Sequence, residues 1–163
     1  MAEAVPAENR IDEGVRVQVY RWAYRFLRNH HDALDATQEV LLKWLRSGGE
    51  GIAHPQAWLR RMTTNHCIDV VRRRRRPSGI EAEPIDTDTP AAAADRQELR
   101  LRIAAALKRL SEQQRQVLVA KVYDRETFAS IAESMGLSVS TVKTHYVRAL
   151  RAMGEVLKRP NWE

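Results

Sequence analysis

Residues 127–151, TFASIAESMGLSVSTVKTHYVRALR, constrain the fold more than any other stretch of this chain. Phe128, Ile131 and Met135 recur at helical spacing, and small Ala132 leaves room for a second helix to cross closely. Gly136 permits a tight turn, and Leu137 fills the space between two helices. Ser138 is placed to cap a new helix by accepting from its orphan backbone N–H groups. In that helix Val142, Tyr146, Ala149, Leu150 and Met153 form one apolar stripe. Ser140, Lys143, Thr144, Val147, Arg148 and Arg151 fall on the other side. A helix-turn-helix whose second helix carries cations and hydroxyl donors suits a DNA major groove. The plainer alternative, a purely structural hairpin, is disfavoured by the joint spacing of Ala132, Gly136, Leu137 and Val142.

Charge divides the rest of the chain. Residues 1–76 hold 14 basic and 9 acidic residues, a net of +5. Residues 77–94 hold Glu81, Glu83, Asp86 and Asp88 and no base, a net of −4. Residues 95–163 hold 13 basic and 8 acidic residues, again +5. The middle piece, PSGIEAEPIDTDTPAAAA, has three prolines and almost no bulky apolar residue. It cannot bury enough surface to fold alone, so it reads as an extended acidic linker. The expected architecture is all-α: two small helical domains, 1–76 and 95–163, joined by a flexible linker at 77–94. The overall charge of +6 favours a polyanionic partner.

In the first domain the periodicity predicts three helices. One spans about Ile11 to Asn29, with Val15, Val19, Trp22, Tyr24, Phe26 and Leu27 as apolar surface. The second runs from Asp32, as its cap, to Arg46 and buries Leu34, Val40, Leu41, Trp44 and Leu45. Ser47-Gly48-Gly49-Glu50-Gly51 breaks it. The third starts near Pro55, a good first-turn residue, and runs to Arg76, where Pro77 stops it. In the second domain a helix over Asp95 to Leu110 precedes one from Glu112 to Tyr123, capped by Ser111. Trp44 and Trp58 have apolar neighbours at helical spacing, which places them in a core.

Three groups of residues carry candidate contacts. Arg72, Arg73, Arg74, Arg75 and Arg76 exceed what a helix C-terminal dipole needs, so phosphate contact is the better reading. Arg60, Arg61, Thr64 and Asn65 extend that surface along the same helix; Asn65 can both donate and accept toward a base edge, though spacing alone favours a plain solvent-facing or capping role for it. Asp35, Gln38 and Glu39 share one face of the second helix, either as a dock for a basic partner or as solvated residues. The single Cys67 excludes an intramolecular disulfide and a Cys-rich zinc site. His30, His31, His54, His66 and His145 have no metal-ligand spacing, and no P-loop, dinucleotide turn or nucleophile motif is present. No cofactor, metal or catalytic residue is expected. No apolar run reaches membrane-spanning length and the N-terminus has no signal-peptide core, so the expected location is the cytoplasm, without membrane insertion.

Taken together, these segments resemble the extracytoplasmic-function (ECF) group of bacterial RNA polymerase sigma factors, over about residues 12 to 154. DALDATQEVLLKWL resembles the family's polymerase-docking helix. HPQAWLRRMTTNHCIDVVRRRRR resembles its minus-ten-reading and melting helix. LKRLSEQQRQVLVAKVYDRETFASIAESMGLSVSTVKTHYVRALRAM resembles its minus-thirty-five-reading domain. The resemblance implies that Asp35, Gln38 and Glu39 face the clamp coiled coil of the polymerase β′ subunit. It implies that the Ser47 to Gln56 loop with Asn65 holds an unpaired minus-ten base, with Arg72 to Arg76 on nearby DNA. Ser140, Lys143, Thr144, Val147 and Arg148 would face the minus-thirty-five major groove. The linker would thread through polymerase near the RNA exit path. Implied partners are core RNA polymerase (β′ clamp and β subunit), promoter DNA and an anti-sigma factor. Two departures stand out: Ser130 replaces the usual acidic residue before Ile-Ala, and His145-Tyr146 replaces the commoner Arg-Leu. From the residues alone, a free-standing helix-turn-helix regulator and an RNA-binding antiterminator remain competing functions.

Overall fold

A computed structural model describes residues 11–48, 51–74 and 89–158. The described residues form seven α-helices and no strand: α1 (Glu13–Leu27), α2 (His30–Arg46), α3 (Pro55–Arg73), α4 (Pro90–Arg109), α5 (Glu112–Val122), α6 (Phe128–Met135) and α7 (Val139–Leu157). The all-α expectation therefore holds. Packing divides the chain into two compact units, Met1–Cys67 and Ile68–Glu163.

In the first unit Asp12 caps α1, its carboxylate accepting from the Val15 N–H at 2.8 Å. The cap of α2 is Asn29, not Asp32: the Asn29 side-chain oxygen accepts from the Asp32 N–H at 3.0 Å. Either residue type can cap. Once Asn29 does so, Asp32 falls in the first turn, where its charge complements the helix dipole. The core joins Val19, Trp22, Val40, Trp44 and Leu59, with Trp58 edge-on to Trp44 at 5.3 Å. Trp44 is a core residue, as its neighbours implied, and Trp58 is half-buried against that core.

α2 buries Val40 and Trp44 as expected, with Leu41 packed beside them, but not Leu34 or Leu45. Its buried residues are Ala33, Ala36, Thr37, Val40 and Trp44. The Thr37 hydroxyl is satisfied by the Ala33 carbonyl at 2.6 Å. Small residues let α1 and α2 approach closely, and that contact outweighs burial of the leucines. Leu34, Leu42 and Leu45 are left 40 %, 44 % and 64 % exposed.

On α3, Leu59, Thr63, Thr64, Cys67 and Ile68 are buried. Arg60 is buried as well, with its guanidinium 5.4 Å from the Trp22 ring centre. Arg60 and Thr64 thus belong to the interior and not to a DNA-facing surface. Burial also pushes the Cys67 thiol well above its ordinary range. Cys67 should therefore react with a thiol reagent at a negligible rate in the native protein and rapidly in denaturant. Comparable rates in both conditions would contradict the packing.

The second unit opens with Thr89 capping α4 and Pro90 in its first turn. Residues 90–94 are consequently helical rather than extended. Pro90 pre-sets the dihedral angle and four alanines follow, a strong local helix signal that the reading of this stretch as unfolded passed over. Residues 77–88 lie outside the described residues. Ser111 and Gln114 form a reciprocal capping box on α5, both bonds at 3.3 Å. The α4–α5 turn is locked by Arg115, only 7 % exposed, whose guanidinium donates to the carbonyls of Leu107 (2.8 Å) and Leu110 (3.1 Å).

α6 is capped by Thr127 and ends at Gly136, in the left-handed region with φ 64°. The Leu137 N–H reaches back to the Ala132 carbonyl at 2.9 Å, closing the turn. Ser138 caps α7 through the Thr141 N–H at 3.1 Å. Val117, Ala120, Ile131, Ala132 and Val142 form the core between α5, α6 and α7, with Phe128, Met135, Leu137 and Tyr146 around it. The helix-turn-helix is built as its sequence implied, save that Leu150 is exposed and does not complete the apolar stripe.

Candidate nucleic-acid interface

The α7 face opposite the Val142 and Ala149 side presents Ser140, Lys143, Thr144, Val147, Arg148 and Arg151, all exposed. Val147 is 54 % exposed, an apolar side chain that no core claims. The hydroxyls are locally organised. Thr144 donates to the Ser140 carbonyl at 3.0 Å, which leaves its oxygen free to accept from outside. Ser138, Ser140 and Thr141 form a short hydroxyl chain with O···O distances of 3.0 and 2.8 Å. The Lys143 ammonium lies 5.9 Å from the Phe128 ring centre, and Lys121 lies 4.7 Å from the same ring. This places two cations beside the ring at the start of α6. The pattern of short polar groups, one apolar contact and forked or point cations matches what major-groove base edges and flanking phosphates require.

The departures noted in the sequence fall off this face. Tyr146 packs edge-on against Phe128 at 5.4 Å, and His145 is half-buried. Ser130 donates to the Glu126 carboxylate at 3.1 Å, so the position keeps a local hydrogen bond through a neighbour's acid.

On α3, Asn65 is half-buried, while Arg72 and Arg73 are exposed. Helical spacing sets Arg61, Asn65 and Arg72 along one side of that helix. Arg74 is half-buried, and the loss of solvent lowers its pKa from the ordinary arginine value. It stays charged at any physiological pH. Arg75 and Arg76 lie outside the described residues, as do Gly49 and Glu50 of the Ser47–Gln56 loop.

On α2, Asp35 and Gln38 are exposed and Glu39 is half-buried. The exposed Leu34, Leu42 and Leu45 lie among them, so this face is an apolar surface bearing an amide and two acids. Sequence reasoning missed these leucines as surface residues. The available signal was that α2 is apolar or small on two sides, more than a single core stripe needs. Among the described residues there is no His/Cys/Asp/Glu cluster able to hold a metal, and no helix long and apolar enough to cross a membrane.

Two all-α units, one of them a capped helix-turn-helix with an exposed polar and cationic face, define a helical DNA-binding protein. Comparison with known proteins narrows the class. The family model for sigma-70 region 2 matches residues 13–77, and that for sigma-70 region 4 matches residues 100–153. The ECF RNA polymerase sigma factor SigM of Mycobacterium tuberculosis is 31 % identical over 143 residues, spanning 86 % of this chain and 71 % of SigM. The ECF RNA polymerase sigma factor SigE of Mycolicibacterium smegmatis is 28 % identical over 167 residues, 98 % of this chain. The chain spans 65 % of the length of SigE. A solved structure of the sigma factor RpoE from Bartonella quintana, in complex with the anti-sigma factor NepR, covers 90 % of this chain and 94 % of its own, at 23 % identity and a TM-score of 0.45. The chain belongs to the ECF sigma factor family.

Proposed function

We propose that this protein is a promoter-specificity subunit of bacterial RNA polymerase. It binds core polymerase through α2, recruits it to two spaced promoter elements and assists opening of the duplex, with no covalent step of its own. The observation that carries this reading is the conjunction of the region 2 and region 4 matches with an exposed polar and cationic face on α7. Asp35, Gln38 and Glu39, with Leu34, Leu42 and Leu45 beside them, form the surface offered to the β′ clamp. Asn65 and Arg72 to Arg76 serve the minus-ten region; Ser140, Lys143, Thr144, Val147 and Arg148 serve the minus-thirty-five groove. The β subunit, an anti-sigma factor and a cytoplasmic location follow from family membership.

The domain limits belong to the same proposal: a polymerase-docking and minus-ten-reading domain at 1–76, a linker at 77–94 whose last residues begin α4, and a minus-thirty-five-reading domain at 95–163. Residues 78–99, between the two family matches, contain all four acids of the linker. Cleavage between Glu81 and Pro90 should release two folded fragments. Loss of helical structure on that single cut would refute the division.

Base readers and phosphate binders should fail differently. Arg148→Ala should cost about 1–3 kcal/mol at one base pair of the upstream element and relax discrimination there. Replacing Arg72 and Arg73 with Ala should weaken binding to most sequences and shallow the salt dependence by about one unit per lost phosphate contact. Titrations of the holoenzyme against point-mutated promoters at several salt concentrations separate the two. An equal loss on every sequence from Arg148→Ala would move that residue to the phosphate class.

A further inference from the structure

The outward face of α1 lies opposite the helix's buried side. Val19, Trp22, Ala23 and Leu27 turn inward. At the spacing i, i+4, i+7 on the other side stand Arg21, Arg25 and Arg28, all exposed. Beside them runs a chain of rings. Tyr20 and Tyr24 stack with centroids 5.9 Å apart and planes inclined by 23°. His30 meets Tyr20 edge-on at 5.8 Å, and His31 meets His30 at the same distance. The Tyr20 hydroxyl and His30 Nδ1 are 2.9 Å apart, which fixes both rings.

Two further observations separate this face from an ordinary solvated one. No Asp or Glu occurs in the 18 residues between Glu13 and Asp32, whereas the exposed side of α2 mixes Asp35 with Lys43 and Arg46. Arg28 occupies the helix C-cap in the left-handed region, φ 50°, where glycine is the residue the backbone favours. Its guanidinium lies 5.4 Å from the Tyr24 ring centre, so the strained position sets a cation at the end of the ring row.

We propose that this face, Arg21, Arg25 and Arg28 with Tyr20, Tyr24 and His30, binds single-stranded nucleic acid. A row of cations tracks a phosphodiester backbone, and adjacent fixed rings stack successive bases without regard to sequence. The site is distinct from Asn65, the Arg72–Arg76 run and α7. It goes beyond the polymerase reading and does not require polymerase.

The test is fluorescence anisotropy of a labelled oligodeoxythymidine of about 20 nucleotides with the full chain, over a salt series. Arg21→Gln with Arg25→Gln should weaken binding about tenfold and shallow the log–log salt slope by about 1.4, since each single-strand phosphate contact contributes about 0.7. The double Lys variant should keep the slope. Tyr24→Leu should weaken binding about tenfold with the slope unchanged. Circular dichroism checks that each variant is folded, as exposed Arg21 and Arg25 lead one to expect. Affinity and slope within twofold of wild type in the Gln variant would overturn the proposal. An equal loss on a duplex of the same length would overturn the single-strand assignment. Because polymerase is absent from the assay, failure here leaves the proposed function standing, and the reverse also holds.

Discussion

Arg115→Ala should destabilise the helix-turn-helix unit by about 3 kcal/mol or more. Nε and Nη2 of Arg115 serve the carbonyls of Leu107 and Leu110, with a third, longer contact of 3.4 Å to Lys108. These carbonyls lie in the last turn of α4 and at its C-cap; that of Leu107 also accepts from the Leu110 N–H at 3.2 Å, so Arg115 is its second donor. Truncation removes the side-chain donor from the Leu110 carbonyl, strips the Leu107 carbonyl back to one bond and leaves the space of a buried side chain; a buried acceptor left short costs about 1–3 kcal/mol. The Glu112 partner at 3.3 Å is a lesser contribution, since that side chain is 39 % exposed and partly screened by solvent. Arg115→Lys should also fail, because a single ammonium cannot span the carbonyls that a planar fork reaches. Glu112→Ala should cost well under 1 kcal/mol. For a unit of this size the Arg115→Ala loss corresponds to roughly 12 °C or more in Tm. A thermal unfolding midpoint within a few degrees of wild type would show that the turn does not depend on this residue.

Gln38→Ala combined with Glu39→Ala should weaken association with core polymerase by about 3 kcal/mol, roughly 150-fold in Kd, while leaving the helical content intact. Gln38 is exposed, Glu39 is half-buried and neither belongs to the α1–α2 core. Amides and charges that become buried on docking cost about 2–5 kcal/mol when truncated, much of it from the partner group left unpaired. Leu45→Ala should weaken the same association by removing apolar contact area, again without unfolding, because Leu45 is 64 % exposed. Co-elution of the double variant with core polymerase at wild-type concentrations would sink the α2 assignment.

The helix-turn-helix was legible because each of its features is local. A glycine at the left-handed turn, a hydroxyl residue at each cap (Thr127 and Ser138) and small residues at the crossing all speak within a few positions. The face of α7 followed from spacing alone. What sequence could not supply was competition between faces. Nothing in α2 taken alone says that Ala33 and Ala36 outrank Leu34 and Leu45, because the choice is made by how closely α1 approaches. The same holds for Arg60, whose guanidinium lies beside the Trp22 ring, and for Thr64, buried on the same helix. Asn29 took the α2 cap from Asp32 because two good caps stood three residues apart, and local preference does not rank them. Pro90 and its four alanines were lost in a stretch judged by its average composition. The ring row on α1 and the three carbonyls held by Arg115 needed three-dimensional placement to be seen at all.

The central claim is that this chain directs polymerase to promoters. Transcription of the source organism's genomic DNA by its purified core polymerase, with the chain added and RNA 5′ ends mapped, tests it most directly. The account predicts a discrete set of new start sites that share two spaced upstream elements. It predicts that these starts vanish with the Gln38→Ala and Glu39→Ala variant and are redistributed among promoters by Arg148→Ala. A chain that binds duplex DNA alone yet yields no new start would be a free-standing regulator. One that only extends transcripts through terminators would be an antiterminator, and either result would contradict the account.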